Sequence, residues 1–183
     1  PVLSAIPFDR KAEKAPLITD GSAQSTRAEA MRQLRTNLQF VNVDRPLRSL
    51  VVSSALPGEG KSTTACNLAL GLKTLGLKVG LLDADIYGPS MPKLLGIHGK
   101  PHLLENRVLE PMEAYGLKVM SIGFLVEEEA AMIWRGPMVM SAITQLLREV
   151  AWGELDVLVV DMPPGTGDAQ LTMAQQVPLA GAV

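Results

Sequence analysis

Residues 54–63, Ser-Ala-Leu-Pro-Gly-Glu-Gly-Lys-Ser-Thr, leave the chain few folds to choose from. A glycine-rich loop ending in Lys61-Ser62-Thr63 cradles phosphate when it hangs between the end of a strand and the start of a helix. Small residues at Gly58 and Gly60 let successive backbone N–H groups point at a polyanion with no Cβ in the way. Lys61 supplies a charge to the β/γ-phosphates, Ser62 a hydroxyl to Mg²⁺, and the helix that starts there aims its positive dipole end at the same anion. Pro57, Gly58, Glu59, Gly60, Lys61, Ser62 and Thr63 are therefore the candidate ligands of ATP. The strict pattern asks for glycine where Ala55 stands, and the flanks supply what that position lacks. Ser49-Leu50-Val51-Val52-Ser53 reads as a buried strand, and Ala65, Leu68, Ala69, Leu72 and Leu75 recur at helical spacing until Gly76.

A chain of 183 residues is one domain's worth and long enough to bury a core. Its net charge of −2 and scattered Lys and Arg carry no electrostatic footprint for nucleic acid. No apolar run approaches the roughly 18 residues that a spanning helix needs, and no basic stretch leads into an apolar core at the N-terminus, so no membrane span and a cytoplasmic setting are expected. The single cysteine, Cys66, excludes an intrachain disulfide.

Residues 1–24 carry Pro1, Pro7, Pro16 and Gly21 without a sustained period and read as an extended, weakly packed leader. Residues 25–183 read as a single domain. Ala28, Met31, Leu34, Leu38 and Val41 predict a helix from Ser25, its N-cap, to about Val41. Lys78 to Leu82 is a second buried strand, 96–116 is loop-rich after a short helix near Lys93–Leu95, and Leu117 to Ile122 is a third strand. Pro137 opens a helix whose Val139, Ile143, Leu146, Leu147 and Val150 share a face, and Leu155 to Val160 is a fourth strand ending at Asp161. Strands buried on both faces and alternating with helices imply an α/β fold with a doubly wound, mostly parallel sheet.

A phosphate cradle becomes a nucleotide·Mg²⁺ site when acids reach the same sheet edge. Asp161 ends an apolar strand and precedes Met162-Pro163-Pro164-Gly165, placing it on the Mg²⁺ side, with Gly165 offering its N–H to a γ-phosphate. Asp83 and Asp85 end the second strand; one can enter the Mg²⁺ shell and the other can orient an attacking water. The candidate catalytic residues are thus Lys61, Asp83 and Asp85, and the candidate metal ligands Ser62, Asp83 and Asp161.

From Cys66 onward, the runs Leu82-Asp83-Ala84-Asp85-Ile86-Tyr87-Gly88-Pro89-Ser90, Gly123-Phe124-Leu125-Val126, Trp134-Arg135-Gly136-Pro137-Met138 and Asp161-Met162-Pro163-Pro164-Gly165-Thr166-Gly167-Asp168 resemble the Mrp/ApbC iron–sulfur cluster carrier ATPases. That resemblance implies a P-loop NTPase fold of the MinD/ParA (deviant Walker A) type, a nucleotide-dependent homodimer, and delivery of [4Fe–4S] clusters to apo iron–sulfur proteins. It also implies a chain continuing past Val183, with a Cys-x2-Cys pair that these residues do not contain. Cys66 itself sits among Ala65, Leu68 and Ala69 and reads as a small buried hydrophobe, and His98 and His102 share no helix face.

Before Cys66 the resemblance changes. Pro1-Val2-Leu3, Ile6-Pro7, Glu29 to Phe40 and Ala55 to Ser62 are similar to the cytoplasmic domain of bacterial tyrosine kinases of polysaccharide export, whose Glu-x2-Arg-x2-Arg triplet joins subunits in a ring. Here Glu29, Arg32 and Arg35 would also serve as a solvated face with intrahelical pairs. Two departures stand out. The carriers' signature lysine position holds Leu56, implying weak turnover, and the kinases' arginine after the second-strand acids and their tyrosine-rich tail are missing. A tyrosine kinase using Asp83 or Asp85 as base, and a non-catalytic dimerisation switch, are the alternatives to a cluster carrier.

Overall fold

The computed structural model describes residues 2–19, 24–41, 47–105, 107–125, 136–165 and 181–182. The chain forms a six-stranded sheet in the order β3-β4-β2-β5-β1-β6, comprising β1 Ser49–Val52, β2 Val79–Asp83, β3 Met112–Ala114, β4 Leu117–Ser121, β5 Val157–Asp161 and β6 Gly181–Ala182. All pairings are parallel except β3 with β4. Every residue of β1 and β2 is buried, as expected of strands covered on both faces. The helices are α1 Thr26–Val41, α2 Lys61–Lys73, α3 Met91–Leu95 and α4 Gly136–Arg148.

The expected helices stand where the apolar spacing put them. Ser25 accepts the Ala28 N–H on its hydroxyl at 3.1 Å and so starts α1, which buries Ala28, Met31, Leu34 and Leu38. In α2, Ala65, Cys66, Leu68, Ala69 and Leu72 all face the core. The helix ends before Leu75, which is exposed, because Gly76 takes a left-handed φ of 83°. Val41, read as part of the apolar stripe of α1, is exposed at the end of that helix.

Two features differ from the sequence reading. The stretch read as loop-rich contains β3, closed onto β4 by a two-residue turn in which Tyr115 and Gly116 both have positive φ (53° and 74°). The leader, read as weakly packed, is fastened at several points. Asn67, buried in α2, accepts the Ile18 N–H at 2.7 Å and donates to the Pro16 carbonyl at 2.9 Å. Ser4 and Leu3 bond to α1 through the Ala30 carbonyl and the Asn37 amide, and Leu17 joins the core. The leader's own residues carry little periodicity, so the polar partners that hold it come from helices far along the chain.

The Glu-x2-Arg-x2-Arg triplet makes contacts within the chain. Arg32 pairs with Glu29 at 2.7 Å on the exposed face of α1, the intrahelical pair that its spacing allows. Arg35 turns onto α2, donating to the Gly71 carbonyl and the Thr74 hydroxyl, each at 3.0 Å.

Candidate functional site

The ends of four strands form a row across the sheet. Parallel register sets Ser121 of β4 beside Asp83 of β2, Asp83 beside Asp161 of β5, and Asp161 beside Val52 of β1. The phosphate loop leaves β1 at one end of that row. Gly58 and Gly60 have φ of 80° and 81°, conformations that a side chain would strain, and α2 begins directly after them. Over the loop lies a cavity of about 390 Å³ lined by Pro57, Gly58, Gly60, Lys61, Ser62, Thr63, Asp85, Gly88, Ser90, Leu94 and Pro164. Six of the seven loop residues expected to bind phosphate therefore wall one cavity. Glu59 instead folds back, its carboxylate accepting the Leu56 N–H at 3.0 Å.

The three acids have separate situations. Asp85 accepts from the Lys61 ammonium at 3.4 Å and from the Gly88 N–H at 3.2 Å, so it joins the loop to the segment after β2. Asp83 is fully buried and accepts four hydrogen bonds, from the N–H groups of Asp85, Ser90 and Met91 and from the Ser121 hydroxyl. Read from sequence as a catalytic and metal residue, it is occupied here in holding the loop after β2 and the first turn of α3. Burial, and after it the neighbouring charge of Asp161, push its carboxyl up to about 7 despite those bonds.

Asp161 is also fully buried, but among the described residues neither carboxylate oxygen has a hydrogen-bonding partner. Burial raises it to about 6; the nearby Ser62 hydroxyl, which does not close a bond, and the Lys61 charge pull the other way. A buried carboxylate with no partner is costly and is commonly met by a cation. Its place beside Ser62 fits the hard oxygen donors that Mg²⁺ takes.

Other expectations resolve plainly. The Gly165 N–H, expected to face a γ-phosphate, donates to the Ser54 carbonyl at 2.8 Å, because a φ of 92° turns that backbone toward the start of the phosphate loop. Cys66 is buried, and burial pushes its thiol well above the ordinary range, as befits an inert small hydrophobe. His98 and His102 are exposed, and among the described residues no group of three His, Cys, Asp or Glu side chains is placed to hold a metal. Val126, Trp134 and Arg135, and the run Thr166-Gly167-Asp168, lie outside the described residues. Gly123 explains its own motif, since a Cβ there would come within 2.8 Å of Pro89. Sequence reasoning missed Ser90, which lines the loop cavity; its place at the end of the run Leu82 to Ser90 was the only signal.

Strand, glycine loop, helix, and an acid on the neighbouring parallel strand define a P-loop NTPase of the ParA type. A family model described as "ParA: NUBPL iron-transfer P-loop NTPase" matches residues 47–183, and the chain belongs to that family. The match takes in the phosphate loop, which the sequence alone likened to the kinases. The mouse iron–sulfur cluster transfer protein NUBPL is 51% identical over 164 residues, covering 85% of this chain and 51% of its own. Across the first curated relatives this chain spans 37–51% of their length. Among solved structures, a nucleotide-binding protein from Archaeoglobus fulgidus in complex with ADP is 40% identical at a TM-score of 0.63, covering 81% of this chain and 57% of that one. The kinase domain of the Escherichia coli tyrosine kinase ETK superposes with a TM-score of 0.72 at 24% identity, over 95% of this chain and 74% of that one, a likeness of fold alone.

Proposed function

We propose that this chain is the nucleotide-binding portion of an ATP·Mg²⁺-dependent iron–sulfur cluster carrier. The observation that carries the reading is the buried carboxylate of Asp161, without a hydrogen-bonding partner among the described residues and close to Ser62 and Lys61, which line the loop cavity. Membership of a family whose relatives are named for cluster transfer supplies the cargo. Ser62 and Asp161 are the residues that would hold Mg²⁺, which when bound neutralises charge on the β- and γ-phosphate oxygens. Lys61 leaves Asp85 for the phosphates, and Asp85, so released, is the group that orients an attacking water. Asp83 acts through backbone: it holds the segment carrying Asp85 and Ser90 in place.

Hydrolysis is expected to be slow, because Leu56 stands where the carriers have a lysine that reaches the partner's nucleotide. Its side chain is 63% exposed, on a surface open to a second copy of the chain in a nucleotide-dependent homodimer. The cluster is cargo. A bridged [4Fe–4S] cluster needs two thiolates from each subunit, and Cys66 alone, buried, does not supply them. Clients are apo iron–sulfur proteins.

Calorimetric titration of ATP·Mg²⁺ tests the reading. The wild-type chain binds and Lys61→Ala does not; equal affinity of the two would sink it. Anaerobic reconstitution of this chain yields no stoichiometric cluster absorbance, and a stoichiometric cluster would show that it holds one after all.

A further inference from the structure

We propose that Ser90 is a binding residue of the nucleotide site, its hydroxyl donating to the terminal phosphate of ATP; this rests on the nucleotide reading above. Ser90 lines the same cavity as the phosphate loop, with Asp85, Gly88 and Pro164. It occupies the N-cap position of α3, where a serine ordinarily uses its oxygen to accept a backbone N–H of the first turn. Here it does not. Asp83, from β2, instead accepts the N–H groups of Ser90 and Met91 on Oδ2, each at 3.1 Å, and so holds the start of the helix.

The Ser90 hydroxyl is left shielded from water with no hydrogen-bonding partner among the described residues. A buried hydroxyl in that position is a standing cost to the ligand-free fold. It is recovered when a ligand brings an acceptor, and a phosphate oxygen is the acceptor that this cavity is built to receive. In such loops the backbone takes the inner phosphates and the lysine reaches the terminal ones, and Lys61 lies 3.4 Å from Asp85 on the segment that ends at Ser90. An interaction with that phosphate distinguishes ATP from ADP.

Ser90→Ala and Ser90→Thr in this chain test the assignment by titration with ATP·Mg²⁺ and ADP·Mg²⁺ and by thermal unfolding without nucleotide. Ser90→Ala is expected to weaken ATP about tenfold, the size of a hydrogen bond to a charged group, and to leave ADP within about twofold. Because it removes an unpartnered buried hydroxyl, it is also expected to raise the ligand-free melting temperature by about 2–4 °C. Ser90→Thr, which keeps the hydroxyl, restores the preference for ATP. A purely structural serine behaves otherwise: a lowered melting temperature with ATP and ADP weakened alike overturns the assignment, as does unchanged ATP affinity in Ser90→Ala. If wild type binds neither nucleotide, the nucleotide reading fails and this assignment with it; if wild type binds both and Ser90→Ala matches it, only this assignment fails.

Discussion

The Lys61 ammonium lies 3.4 Å from Asp85 Oδ2, and each side chain keeps only 8% of its surface in water. The charge that the loop offers to phosphate is therefore already engaged. On the nucleotide reading proposed above, phosphate replaces Asp85 on this lysine, and Asp85 lies on the segment that ends at Ser90.

Asp85→Asn tests that exchange. Removing one member of a buried pair outright costs about 3–5 kcal/mol. Asparagine retains an acceptor for Lys61, so the expected loss for the ligand-free protein is about 1–3 kcal/mol, seen in denaturant unfolding. Affinity for ATP rises, because Lys61 no longer gives up a carboxylate to reach the phosphates, while turnover falls. Weaker ATP binding together with lower stability would show that the pair does not compete with nucleotide.

Asp83 and Asp161 predict the pH dependence. Both carboxyls lie above their ordinary range, at about 7 and about 6, so between about pH 4 and 7 the folded chain holds protons that the unfolded chain has released. Stability of the ligand-free protein should fall as pH rises through that window, by an amount on the order of a few kcal/mol. Asp161→Asn should flatten the profile, raise the melting temperature at pH 8 and abolish stabilisation by Mg²⁺·ATP. Stability rising from pH 5 to 8 in the wild type would contradict the environment described for both acids.

Asn67→Ala probes the leader. Its side chain bonds Ile18 and Pro16 and, within α2, the Thr63 carbonyl. Loss of these buried bonds should cost about 2–3 kcal/mol and open residues 2–19 to limited proteolysis. An unchanged digestion pattern would mean that other contacts suffice to hold the segment.

Gly123→Ala links packing to the site. The new Cβ would meet Pro89 Cβ at 2.8 Å, and Pro89 precedes Ser90. The expected cost is about 1–3 kcal/mol, as for other overpacked positions, with weaker ATP binding. A stability loss without change in affinity would separate Pro89 from the cavity wall.

Leu56→Lys, at this exposed position, tests the expectation that Leu56 slows turnover. Faster ATP hydrolysis than wild type, rising with protein concentration as a shared dimer site requires, is the expected outcome. An unchanged rate in a steady-state assay would remove Leu56 as the reason for slow turnover.

Local pattern was enough for most of the framework. The β-branched runs at Leu50–Val52 and Val157–Val160, the 3.6-residue spacing in α1 and α2, and the glycines at 58 and 60 each declare a backbone conformation to their own neighbours, so sheet class and phosphate loop were legible without coordinates. The β3 hairpin was not, because its turn uses Tyr115 and Gly116 in place of an Asn-Gly or Asp-Gly signature and its strand is three residues long. The division of labour among the acids was hidden for another reason. Asp83, Asp85 and Asp161 look alike as strand-end aspartates, and what separates them is who stands opposite. Ser121, 38 residues away, and the first turn of α3 occupy Asp83; Lys61, 24 residues back, takes Asp85; nothing among the described residues takes Asp161. The sequence by itself determined the glycine loop at residues 57–63 and the helix that follows it. Only the tertiary structure decided which carboxylate and which hydroxyl have no partner among the described residues, Asp161 and Ser90, because partners meet through sheet register and not along the chain.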